Sequence, residues 1–133
     1  MAIRIVRLGT PRAVGEGPRL GTVRRPPRGV LKSETASRDF YDVWVPEVAP
    51  SDGLLRGAQA LDDPKRWQSF VSRYRGEMNR PEARHLLDLL AALSHTTDFS
   101  LGCYCVDEGR CHRSVLRELL AERGADIRQA ITS

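Results

Sequence analysis

Two helix-length amphipathic stretches laid end to end, with short strand-like segments on either side, leave this chain few ways to fold. Residues 62–78 put Trp67, Phe70, Val71, Tyr74 and Met78 on one helical face, with Asp62 or Asp63 as cap and Pro64 in the first turn. Asn79 and Pro81 interrupt the pattern. A second helix then runs over 81–94 with Leu86, Leu87, Leu90 and Leu93 toward the core. An aromatic stripe at this spacing reads as core packing, and His85 as a surface or half-buried residue rather than a ligand.

The flanking segments are short and bounded by breakers. "IRIVRL" (3–8) alternates apolar and basic residues with the period of a half-buried strand. "RLGTVRR" (19–25) is a second strand stopped by Pro26-Pro27, and "YDVWV" (41–45) a third between prolines. Ser51 can cap a short turn through Leu54-Leu55. "FSLGCYC" (99–105) is an apolar strand, with Gly102 marking a close approach. A last helix carries Val115, Leu116, Leu119 and Leu120 inward and stops at Gly124. The pattern predicts α/β: a single small three-layer domain over 1–133, its short, mostly parallel sheet flanked by helices. The Gly/Pro/Arg-rich 9–29 is expected as a loop or flap over one end of the sheet, and 125–133 as a flexible tail.

At 133 residues one domain can bury its own core. No apolar run approaches the roughly 20 residues of a membrane span, and "MAIRIVRLGT", without a hydrophobic signal core followed by small residues, gives no expectation of export. Three cysteines, an odd number, fit a reducing cytoplasm better than a disulfide framework. The net charge of +4 is uneven. Arg4, Arg7, Arg12, Arg19, Arg24, Arg25, Arg28 and Lys32 face a single acid, Glu16, across 4–32. Such asymmetry suits an anionic small-molecule partner, or is simply a solvated basic face. Nucleic acid is admitted as a partner but not favoured, because aromatics are few and do not alternate with the basic residues.

All three cysteines fall within "GCYCVDEGRCHRSVLRELL" (102–120), a strand–loop–helix unit with Cys103 and Cys105 on the strand and Cys111 opening the helix. The carboxyl ends of strands, facing helix N-termini, are where α/β sheets bind ligands, and unsatisfied N–H groups there suit an anion. Arg110, His112 and Arg113 stand at the positive end of the helix dipole, each exposed cation costing about 0.3–1 kcal/mol there. A bound anion removes that conflict, and so do the neighbouring Asp107 and Glu108. The leading expectation is a phosphate or carboxylate site made by Arg24, Arg25, Arg28, Arg110 and Arg113. In a weaker, catalytic version Cys111 is a nucleophile or redox thiol and His112 its base, since a helix N-terminus beside cations depresses a thiol pKa.

The spacing is not that of a cysteine phosphatase, because the sixth residue after Cys103 is Gly109 and after Cys105 is Cys111. The alternative is an adaptor without catalysis that binds nucleic acid, or binds zinc through Cys103, Cys105, Cys111 and His112. Plain packing of Cys103 and Cys105 beside an inert Cys111 is the third reading. The sequence names no cofactor, and it leaves catalysis and oligomeric state open.

"LGCYCVDEGRCHRSVLREL" resembles the signature of domain-of-unknown-function family 488, the bacterial and archaeal YeaO-like proteins. Cys103, Asp107-Glu108 and Cys111-His112-Arg113 match its strand-end cysteine, acidic loop and Cys-His-Arg helix start. "RRPPRGV" (24–30), "YDVWVPEVAPSDGLLR" (41–56) and "DDPKRWQSFVSRYRGEM" are similar to its other segments. Cys105 stands where many relatives have Glu, and Pro26 where a tryptophan is common. The resemblance implies a compact cytoplasmic α/β domain and brings no biochemical activity with it.

Overall fold

The computed structural model describes residues 1–56, 63–105 and 108–128, without the side chains of Arg56 and Arg110. Among the described residues four strands form: β1 (Ile3–Arg7), β2 (Arg19–Gly21), β3 (Val43–Trp44) and β4 (Phe99–Cys103). The helices are α1 (Asp52–Arg56), α2 (Pro64–Met78), α3 (Pro81–Leu93) and α4 (His112–Glu122). The sheet order is β1-β4-β2-β3 and every pairing is parallel, so the domain is a small α/β fold.

The helix ends follow the local chemistry of the sequence. Asp63 caps α2 by accepting from the Lys65 N–H at 2.9 Å, and Pro64 occupies the first turn. Asp62, the other candidate cap, lies outside the described residues. Ser51 Oγ accepts from the Leu54 N–H at 3.2 Å and starts α1. Pro81 opens α3, and Gly124, at φ +75°, follows α4.

β4 is the central strand, and all five of its residues are buried. In a parallel sheet such a strand must be apolar or small on both faces. Leu101 stands between Ile5 of β1 and Leu20 of β2, and these side chains share one core with the inner faces of α2, α3 and α4. At Gly102, a Cβ would run into Leu8, the close approach expected from the sequence.

The core stripe of α3 is Ala83, Leu87, Leu90 and Ala91, joined by the buried Ser94. Leu93, expected inward, is 39% exposed, and Leu86 is half-buried. The reason is rotational: Leu93 lies about 120° around the helix from Leu87, on the flank of the stripe. His85 is exposed, as expected.

Strands β2, β3 and β4 are shorter than the stretches that suggested them. Residues 9–18 fold back over the sheet and are pinned by Arg19, whose guanidinium reaches Thr10 O (2.8 Å), Asp39 O (2.7 Å) and the carboxylate of Glu16. Gly17 makes this return possible at φ +76°, where a Cβ would collide with the Asp98 carbonyl. Gly17→Ala is expected to lower stability by at least about 2 kcal/mol in a thermal melt, combining left-handed strain with a backbone clash. Within 125–133, the described residues reach Arg128. Ile3 N–H donates to Asp126 O and Arg128 N–H to Ile3 O, both at 2.8 Å.

Candidate functional site

The carboxyl ends of β4 and β2 and the first turn of α4 meet at one place. Beyond β4 the chain turns through Tyr104 and Cys105, and Cys111 stands in extended conformation just ahead of α4. Cys103 and Cys111 are buried, Cys105 is exposed, and none is in a disulfide. The Cys103 and Cys105 sulfurs are 3.8 Å apart. Sγ of Cys111 is 3.6 Å from Nδ1 of His112. Ligand atoms of Cys103, Cys111 and His112 all lie within 4.8 Å of one another.

His112 is oriented from across the sheet. Its Nε2 is 2.7 Å from Thr22 O and 3.2 Å from Thr22 Oγ1, while that hydroxyl donates to Gly102 O at 2.9 Å. A carbonyl only accepts, so Nε2 carries a proton, and Nδ1 faces the cysteines. Tyr74 meets the imidazole edge-on at 5.6 Å. Hydrogen bonds from Cys103 and Cys105, and then His112, hold the Cys111 thiol far below its ordinary value against the opposing effect of burial. Hydrogen bonding to Cys105 and Cys111, with burial, pushes Cys103 up.

The cations nominated by the sequence have different fates. Arg113 is 3% exposed and donates to Val6 O at 2.7 Å and Cys105 O at 2.5 Å, so it ties together the ends of β1 and β4. Its Nε is buried without a hydrogen-bond partner among the described residues. Arg24 donates to Pro50 O (3.1 Å) and Ala49 O (3.0 Å), and Arg25 pairs with Asp52 at 3.0 Å on the surface. Arg28 is exposed and has no polar partner among the described residues. The Arg110 side chain and Asp107 lie outside the described residues. Glu108 is paired with Arg117 at 2.8 Å.

A cavity of about 640 Å³ opens here. Arg24, Arg25, Arg28, Cys103, Cys105 and His112 all line it, so the early arginine loop and the cysteine segment do share one pocket. The remaining wall is apolar or aromatic and includes Pro26, Pro27, Phe40, Leu55 and Tyr104. Cys111 and Arg113 are not part of the wall.

Sequence reasoning missed Thr22, Tyr74 and Phe40. Thr22 directly follows β2, and its role exists only because β2 lies beside β4. Much of the basic excess over 4–32 is also spent internally. Arg12 pairs with Asp39 and Asp42 (3.3 and 2.7 Å), Arg19 with the buried Glu16, and Arg7 donates to Tyr104 O.

No curated protein and no solved structure matches the chain. A family model described as the active DUF488-N3 subclade matches residues 3–124. That span takes in all four strands, all four helices and every residue of the cysteine–histidine cluster. The match shows that the chain belongs to the DUF488 family.

Proposed function

We propose that this domain binds a small organic anion, a carboxylate or phosphate carried on an apolar or aromatic body. The observation that carries this reading is the charge of the pocket wall: three arginines and, among the described residues, no acidic side chain. The cavity falls in the size range of small-molecule sites, roughly 300–1,000 Å³. It opens at the carboxyl ends of parallel strands, where α/β sheets receive ligands. Arg28, without a polar partner among the described residues, offers its fork bidentately to the anion, while Phe40, Tyr104 and the prolines accept the apolar body. Arg24, held by two backbone carbonyls, contributes a fixed positive charge at the rim. Catalysis by Cys111 is no part of this reading, because that thiol is 2% exposed and lies outside the pocket wall.

Calorimetry with phenyl phosphate, benzoate and inorganic phosphate tests the proposal. Phenyl phosphate is expected to bind more tightly than inorganic phosphate, and Arg28→Ala to weaken it by about 10- to 100-fold, the worth of a hydrogen bond to a charged group. Absence of binding by all three probes at millimolar concentration would reject the anion pocket.

A further inference from the structure

We infer that Cys103, Cys105, Cys111 and His112 bind one zinc ion in a tetrahedral site at the floor of the pocket. The argument is geometric. Zinc bonds of about 2.3 Å to sulfur and about 2.0–2.1 Å to nitrogen give a tetrahedron with S···S edges of about 3.8 Å and S···N edges of about 3.5 Å. The chain holds Cys103 Sγ and Cys105 Sγ at 3.8 Å, and Cys111 Sγ and His112 Nδ1 at 3.6 Å. Cys103, Cys111 and His112 converge within 4.8 Å of one another, and Cys105 joins this group through its contact with Cys103.

The surroundings are those of a ligand shell. A metal-bound histidine presents one nitrogen to the metal and donates from the other to a carbonyl or carboxylate, which sets its tautomer and angle. His112 does this already, with Nε2 on Thr22 O at 2.7 Å and Nδ1 turned to the thiols. A second, independent observation is the charge of Arg113. It is buried, its Nε has no partner, and it forms no ion pair with a carboxylate among the described residues. A buried cation without a counter-charge is costly. A zinc dication with three thiolates and a neutral imidazole carries one net negative charge beside it, as Arg113 bonds the carbonyl of Cys105 itself. Thiolate donors disfavour magnesium and calcium, and a tetrahedral set of three sulfurs and one nitrogen is a donor set that zinc takes in structural sites.

The balance of the step is simple: three S–Zn bonds and one N–Zn bond form, and whatever protons the three sulfurs and Nδ1 still carry pass to solvent. The ion would lock the exit of β4 to the start of α4 and close the floor of the cavity, since Cys103, Cys105 and His112 line it.

The test uses the full chain, expressed in zinc-supplemented medium and dialysed before elemental analysis. About one zinc per chain is expected, and cobalt(II) substitution should give the visible d–d bands and sulfur charge-transfer absorption of a four-coordinate thiolate site. Cys105→Ser removes an exposed ligand and should leave the fold intact by circular dichroism. It should lose its metal to a chelator concentration that the wild type survives, with a shifted cobalt spectrum. Arg28→Ala should keep its zinc, so failure of the anion pocket and failure of the metal site are read separately. The inference is overturned if folded wild type takes up no zinc when the metal is added and its thiols alkylate at the same rate with and without zinc. It is also overturned if Cys105→Ser retains zinc and the cobalt spectrum unchanged.

Discussion

Glu16→Ala is expected to cost about 3–5 kcal/mol, the typical result of leaving one member of a buried ion pair without the other. In a domain of this size that is a fall of about 10–20 °C in the thermal midpoint. Arg19 is 1% exposed and Glu16 3% exposed. The guanidinium contacts both carboxylate oxygens and three backbone carbonyls from two loops, those of Thr10, Pro11 and Asp39. The Ala13 N–H also donates to Glu16 at 2.8 Å, and Ser100 Oγ to its carbonyl at 3.2 Å. Removing the carboxylate strands a cation that water cannot reach. The double replacement Glu16→Leu with Arg19→Met should recover part of the loss, because it removes the charge along with its partner. If Glu16→Ala melts within about 3 °C of wild type, the pair is not the anchor of residues 9–18.

The same carboxylate sets an acid limb. Burial alone would raise the Glu16 pKa, but hydrogen bonds from Arg19 and the Ala13 N–H outweigh it and the folded value lies below the ordinary 4.5. A depressed acid contributes its full stability above the unfolded value and loses it as pH falls through the folded value. The stability gap between wild type and Glu16→Gln should therefore be widest above pH about 4.5 and narrow steadily below it. A gap that does not change down to pH about 2 would show that the carboxylate charge is not what holds Arg19.

Leu101→Ala is the second large effect, about 2–5 kcal/mol by urea denaturation. Leu101 is fully buried at the middle of the central strand, with Ile5 and Leu20 as its cross-strand neighbours. No surface loop can collapse into the space it leaves, which puts the cost high in the Leu→Ala range. Leu93→Ala is the matched control: same chemistry, exposed site, and a change expected within about 0.5 kcal/mol. Equal losses at the two positions would mean that the core does not lie between β4 and the helices.

The contrast between those two leucines marks where sequence reasoning stops. Both sit in apolar runs of good periodicity, and the pattern over 81–94 predicts Leu93 inward. Only the packing of α3 against the rest of the core chooses the stripe of Ala83, Leu87, Leu90 and Ala91. The charged residues divide in the same way. Eight cations against one acid over 4–32 suggest a surface for an anion, yet Arg19, one of the eight, is an interior residue that satisfies carbonyls of distant loops, as Arg113 at the other end of the chain satisfies those near strand ends.

What was legible in the residues was local. Asp63 and Pro64 started α2, Ser51 started α1, Pro81 divided two helices, and Gly124 followed α4, because caps and breakers act within a turn of themselves. The cysteine–histidine segment was recognisable as a strand, loop and helix start for the same reason. The sheet order was not. Nothing along the chain says that β4 inserts between β1 and β2, and that insertion is what brings Thr22 to His112 across ninety positions of sequence. It also carries Arg113 to Val6 O and sets Cys103 at the floor of a pocket whose rim was made eighty residues earlier. Hydrogen bonds inside one turn depend on neighbouring residues alone. Contacts at these separations form only when the whole core has paid the entropy of closing the loops between them.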